Sequence, residues 1–208
     1  MRLVARSILG AAFIIGAFSV VAIGLVTLVY RSTEPRIKAN ERAVLLRTLG
    51  ELVSADDYDN DLLLDRITVV DPDLGTSHPA AVYRARKLGQ VVAVILSPIA
   101  PDGYSGAIRL LVAVRANGTL AGVRVIGHKE TPGLGDPIEV EKSDWILNFS
   151  GRSLQDPAEG RWAVKKDGGD FDQFTGATIT PRAVVKAVRR TLVFFETHRS
   201  ELLSTPAP

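Results

Sequence analysis

An uncharged run from Ser7 to Tyr30, "SILGAAFIIGAFSVVAIGLVTLVY", constrains this chain more than anything else in it. A helix that is apolar on every side has to be buried in a large core or in lipid. Its 24 residues reach about 36 Å as a helix, enough to cross a hydrocarbon layer of about 30 Å with some tilt. Gly10, Gly16 and Gly24 are tolerated in a membrane helix, and Tyr30 stands where an interfacial aromatic belongs. The hydrophobic region of a cleaved signal peptide spans only about 7–15 residues before a small-residue cleavage site. Here the run ends in "LVYRS", with no Ala-x-Ala site and no cysteine for lipidation. The expectation is a retained single-span anchor at 7–30, preceded by a short terminus at 1–6. Orientation stays open on charge alone. Arg2 and Arg6 flank one side; Arg31, Arg36, Lys38, Arg42 and Arg47 flank the other. Large translocated domains largely escape the positive-inside rule.

After residue 30 the basic and acidic residues are equal in number. That balance is a poor platform for nucleic acid, which wants a basic face. The absence of cysteine excludes disulfides, thiol catalysis and cysteine metal sites. His78, His128 and His198 are scattered singly and form no metal-binding or catalytic pattern. Asp57, Asp59 and Asp61 occupy the first positions of a calcium loop. Leu62 then stands where glycine is needed and Thr68 where glutamate is, so a capped turn is the better expectation. Gly133-Leu134-Gly135 lacks the third glycine of a dinucleotide fingerprint, and no phosphate loop is present.

Ile37, Val44, Leu45, Leu49 and Leu52 recur at helical spacing, which predicts a stalk helix over 36–52 after a break at Pro35. Residues 31–78 read as a helical stalk and linker, and 79–200 as the folded domain. "AAVYRARKL" and "QVVAVILSP" read as one hairpin turning near Gly89. "GAIRLLVAV" and "LAGVRVIGH" read as a second, turning at Asn117-Gly118. Ile108, Leu110, Val112 and Val114 share one strand face, with Leu120, Val123 and Val125 on the partner. A short helix around "VEKSDWILNF" and a strand "RWAVKK" follow. The last helix is expected from Pro181 to Leu202, with Val184, Val188, Leu192 and Phe195 as its core stripe and 201–208 as a tail. The class is α+β: one transmembrane helix, then an antiparallel sheet with flanking helices.

Ahead of that helix lies "DGGDFDQFTGATITPRAVVKAV". A helix cap needs one hydroxyl, yet Thr175, Thr178 and Thr180 supply three. Thr180 beside Pro181 reads as the cap, which leaves Thr178 free.

Three motifs in order carry a resemblance. They are a Gly-Tyr-x-Gly strand start at Gly103, a His-x-Glu-Thr-Pro-Gly-Leu-Gly loop at His128, and an Asp-x-x-Ser/Thr-Gly-Ala-Thr segment at Asp172. Together they resemble the G subunit of Rnf-type ion-translocating electron-transport complexes. They are also similar to the C subunit of the sodium-pumping NADH:quinone reductase, within a superfamily of FMN-binding domains. The resemblance runs from Arg2 to about His198. It implies covalent FMN, joined by a phosphoester to the hydroxyl of Thr178. Asp172, Thr175, Gly176 and Ala177 would be the recognition sequence of a flavin transferase that uses FAD and a divalent metal. Glu130, Thr131, Gly133, Leu134 and Gly135 would approach the flavin from the second motif. It further implies a bacterial inner-membrane protein with its large domain periplasmic. There it would relay electrons among other subunits of a complex coupling ferredoxin and NAD chemistry to ion movement. The same role in the quinone reductase, and a subunit for assembly or scaffolding that never receives flavin, are the alternatives.

The residues suit that chemistry. A threonine phosphodiester survives neutral water, whereas an acyl phosphate on a carboxylate hydrolyses. The amino end of a helix favours a phosphate, by about 0.3–1 kcal/mol at an exposed site. Gly176 and Ala177 keep the segment slim enough for a modifying enzyme to reach. Trp145 and Trp162 read as core aromatics rather than ring-stacking partners, and Lys165 and Lys166 read equally as partners of the flavin phosphate or as a solvated strand end.

Overall fold

The computed structural model describes residues 2–204, with side chains from residue 9. It divides into two compact units, Met1–Leu45 and Leu46–Pro208. The first is a helix whose apolar residues from Leu9 to Tyr30 are exposed; Phe13 is 77% and Phe18 75% exposed. It is long and apolar enough to cross a membrane. The expected break at Pro35 does not occur. Helix α1 runs Arg2–Leu52 with Pro35 inside it. Other local contacts surround the proline. The Thr33 hydroxyl donates to the carbonyls of Val29 (2.9 Å) and Tyr30 (3.2 Å). An i,i+4 pair between Glu34 and Lys38 (2.7 Å) then spans the following turn.

In the second unit the last turns of α1 are anchored by buried Leu49 and Leu52. The aspartate-rich stretch is a capped turn, as expected. Asp61 Oδ1 accepts the N–H groups of Leu63 (2.8 Å) and Leu64 (3.3 Å). Among the described residues no cluster suited to a metal ion is found.

A six-stranded antiparallel sheet follows: β1 Arg66–Val69, β2 Ala80–Lys87, β3 Gln90–Leu96, β4 Ile99–Ala100, β5 Ile108–Arg115 and β6 Leu120–Gly127. Each of β1, β2, β3 and β5 pairs with the next in that series, and β5 also takes β4 and β6. Both expected hairpins are present. The face of Ile108, Leu110, Val112 and Val114 is fully buried, with Leu120 and Val123 beside it. β1 falls in the region expected as linker. It is a four-residue strand alternating exposed and half-buried residues, too short to announce itself by periodicity. Inside β2, Arg84 and Arg86 are buried rather than solvated, because Asp65 accepts from Arg84 Nε (2.6 Å) and Arg86 Nε (2.5 Å). A buried charge persists only where it is paired.

"RWAVKK" is not a strand. Helical turns occupy Glu159–Arg161 and Lys165–Asp167, and only an isolated parallel bridge joins Val164 to Phe171. The chain doubles back here, and a Cβ on Gly169 would fall 1.8 Å from the Ala163 carbonyl oxygen. The Trp145 segment is a short 3-10 helix, Asp144–Phe149. Its rings pack with Trp162, Phe171 and Phe174 into an aromatic cluster, so both tryptophans are core residues, as expected.

Helix α2, Ile179–Ser204, starts two residues before Pro181 and packs on β3, β4 and β5. Val184, Val188, Leu192 and Phe195 are fully buried. The expected tail begins later than residue 201. Glu201–Ser204 is helical and Leu202 is buried, while 205–208, like Met1, lie outside the described residues.

Candidate functional site

Strand β6 ends at Gly127, and the chain leaves it through His128–Asp136. His128 Nδ1 accepts the N–H of Glu130 (3.0 Å), so the neutral ring carries its proton on Nε2, aimed at Glu139 Oε1 (2.5 Å). The Thr131 carbonyl takes the N–H groups of Leu134 (3.1 Å) and Gly135 (3.0 Å), winding the loop into a single turn. Gly133 N–H caps it from below by donating to Asp136 Oδ1 (2.6 Å).

This turn faces the start of α2. Gly176 sits at the third position of a tight turn, Phe174 to Ala177, closed by a 3.2 Å backbone bond. Its φ of +82° is one that glycine alone adopts without strain. The chain then enters the helix at Thr178, whose carbonyl accepts the N–H of Arg182 (3.3 Å). Thr178 therefore occupies the cap position that the sequence assigns to Thr180. Thr180 is fully buried inside the first turn, and its hydroxyl donates to Glu130 Oε2. Thr178 is half-buried, and among the described residues its own hydroxyl makes no hydrogen bond.

Between the two turns lies an open-mouthed cavity of about 340 Å³. Glu130, Thr131, Leu134 and Gly135 line it from the first loop, and Gly176, Ala177, Thr178, Ile179 and Thr180 from the second. Seven of these nine are positions the sequence singled out for a cofactor. The other three candidates stay out. Gly133 shapes the back of its turn; Thr175 is exposed at the corner of the tight turn. Asp172 is exposed, pairing with Lys165 (2.6 Å), while its carbonyl holds Trp145 Nε1 (2.7 Å). Lys165 is thereby engaged with a carboxylate rather than merely solvated. Sequence reasoning missed Thr180 and Ile179, taken as ordinary helix start, and Tyr104, whose Gly-Tyr-x-Gly motif was read only as a strand beginning.

Among the described residues, the only charge lining the cavity is the Glu130 carboxylate, 5% exposed. Neutral donors satisfy it: the Thr180 hydroxyl and the Ser105 N–H (3.0 Å). Gly135 lets the loops approach this closely. A Cβ there would lie 2.9 Å from both Cβ and Oε2 of Glu130 and 3.0 Å from Thr180 Oγ1. Outside the cavity, Arg182 in the first turn of α2 grips Asp167 with two 2.5 Å bonds and staples the preceding segment to the helix. That hydrogen bond holds the Asp167 carboxyl below the usual carboxylate range, against an opposing effect of desolvation, and raises Arg182.

The size and lining fit a flavin mononucleotide. The volume lies within the range of small-ligand sites, about 300–1,000 Å³, with apolar walls and few polar anchors. An unbonded hydroxyl stands at the amino end of a 26-residue helix, where backbone N–H groups favour a phosphate.

An antiparallel α+β unit with such a cavity, following an apolar helix, is a flavin-binding domain on an anchor. Residues 103–193 match the profile of the FMN-binding domain, and residues 1–52 that of the RnfG N-terminal region. The chain is 54% identical over 200 residues to the G subunit of the ion-translocating oxidoreductase complex of Pseudomonas aeruginosa strain UCBPP-PA14, covering 96% of this chain and 94% of that one. It is 48% identical over 203 residues to the same subunit of Shewanella loihica, covering 97% and 96%. With that of Vibrio atlanticus it shares 44% over 193 residues, covering 93% and 92%. The chain belongs to the family formed by the G subunits of ion-translocating oxidoreductase complexes.

Proposed function

We propose that this chain is the membrane-anchored flavoprotein subunit of an Rnf-type ion-translocating oxidoreductase complex, carrying FMN as a phosphoester of Thr178. The observation that carries the covalent assignment is the unbonded Thr178 hydroxyl, opening into the cavity at the start of α2. Thr175 is exposed on a turn outside the cavity, and Thr180 has its hydroxyl committed to buried Glu130. Of the three threonines, only Thr178 combines a free hydroxyl with the cavity.

Attachment follows a balanced transfer. Thr178 Oγ attacks the phosphorus nearer riboflavin in FAD; the new O–P bond forms as the pyrophosphate bond breaks. AMP leaves, and the hydroxyl proton passes to solvent. A flavin transferase is the catalyst for this step, and the slim Thr175-Gly176-Ala177 turn leaves the hydroxyl open to its approach.

Bound FMN supplies one- and two-electron redox chemistry; the chain's residues hold and shield it. Gly135, Leu134 and Ile179 line the cavity and would give the ring close, apolar contact, and the amino end of α2 would favour the phosphate. Tethering keeps the cofactor at high effective concentration in a compartment where free FMN would be lost. It also lets the ring stay at an open mouth, in reach of neighbouring subunits. The apolar helix supports a domain held at the bilayer, and the family resemblance supports the periplasmic side of the inner membrane.

The test is intact-mass measurement of the full chain co-expressed with a flavin transferase. The wild type gains FMN less one water. Thr178→Ala does not, and Thr175→Ala retains the site with reduced occupancy. A gain that persists in Thr178→Ala overturns the assignment.

A further inference from the structure

We infer that Tyr104 is the aromatic wall of the flavin site, its phenol ring lying against the isoalloxazine, with Glu130 fixing the turn that presents it. This deepens the reading of the cavity as the FMN site and rests on it. Among the described residues, Tyr104 is the one aromatic lining the cavity. The aromatic cluster of Trp145, Phe149, Trp162, Phe171 and Phe174 is spent on the core, whereas Tyr104 is 69% exposed. A large ring at the mouth of an apolar cavity, with a hydroxyl that stays wet, suits one face of a planar heterocycle.

The position of Tyr104 is built rather than incidental. It occupies the second place of a turn closed by Gly106 N–H on the Gly103 carbonyl (3.4 Å). The next residue, Ser105, donates its N–H to Glu130 Oε1 (3.0 Å). Gly103 sits so close that a Cβ would fall 3.0 Å from that same oxygen. Just upstream, Asp102 pairs with Lys186 of α2 (2.6 Å). The second oxygen of Glu130 holds Thr180, two residues past Thr178. One carboxylate thus ties the turn bearing Tyr104 to the helix start bearing the attachment hydroxyl.

A phenol in contact with a photoexcited flavin lends it an electron and takes it back, quenching fluorescence with no net reaction. Leucine cannot do this; tryptophan can. Exposed Tyr104 tolerates substitution, so the full chain is compared as wild type, Tyr104→Leu and Tyr104→Trp, each loaded by the transferase and checked by intact mass. The expected result is a dim wild type, a dim Tyr104→Trp, and a Tyr104→Leu several-fold brighter with a longer excited-state lifetime at equal loading. Equal brightness in all three loaded chains overturns the role of Tyr104 while leaving attachment at Thr178 intact. A wild type that never gains the flavin mass overturns the cavity's assignment, and this inference with it.

Discussion

The Thr180 hydroxyl donates to the Glu130 carboxylate across 50 positions of sequence, both residues buried. That bond closes the β6 loop onto the first turn of α2 and sets the depth of the cavity between them. Thr180→Val leaves a buried carboxylate short of a donor and is expected to cost about 1–3 kcal/mol. For a chain of this size each kcal/mol lowers the melting temperature by about 2–4 °C. Thr180→Ser, which keeps the hydroxyl, falls less in the same thermal melts.

Gly135→Ala tests the same closure from the other side. Its Cβ meets the buried Glu130 and Thr180 side chains at 2.9–3.0 Å. The variant is expected to melt lower and to carry less flavin per chain, read as absorbance against protein. Gly160→Ala meets nothing within 4 Å and serves as the neutral control, within about 0.5 kcal/mol of wild type.

The Asp167–Arg182 staple gives a defined pH dependence. The folded carboxyl titrates lower than the unfolded one, so the pair adds stability above the unfolded aspartate value of about 3.9. As pH falls through the folded value, protonation removes it. Arg182 is raised and stays charged throughout. The melting-temperature gap between wild type and Arg182→Gln is expected to be constant from about pH 5 to 8 and to close below about pH 4. The pair is exposed, so the gap is small and shrinks with salt.

An alkaline phosphatase fusion joined after residue 200 is expected to be active in cells. A dead phosphatase beside a fluorescent cytoplasmic reporter at the same point places the domain on the other side.

Periodicity made the hairpins legible, since Ile108, Leu110, Val112 and Val114 alternate as a buried face must. The stripe from Val184 to Phe195 did the same for α2. What stayed hidden depended on distant partners. Nothing in the spacing of Arg84 and Arg86 tells that both are buried until Asp65 is brought beside them. Pro35 reads as a break, yet the helix continues through it. "RWAVKK" has a strand's composition, but the glycines after it turn the chain back. At the site, the two glycine-rich motifs were visible as units, and folding brings them onto one cavity. Thr178 rather than Thr180 stands at the cap position, and Glu130 claims the Thr180 hydroxyl, which spacing alone does not reveal. Tyr104 was overlooked because an aromatic beside a strand usually belongs to the core.

The most direct measurement is fragmentation mass spectrometry of the tryptic peptide Asp167–Arg182 from flavin-loaded protein. That peptide holds Thr175, Thr178 and Thr180 together. The flavin phosphate is expected on Thr178 alone. A modification found on Thr175 or Thr180, or a peptide of unmodified mass from loaded protein, contradicts it.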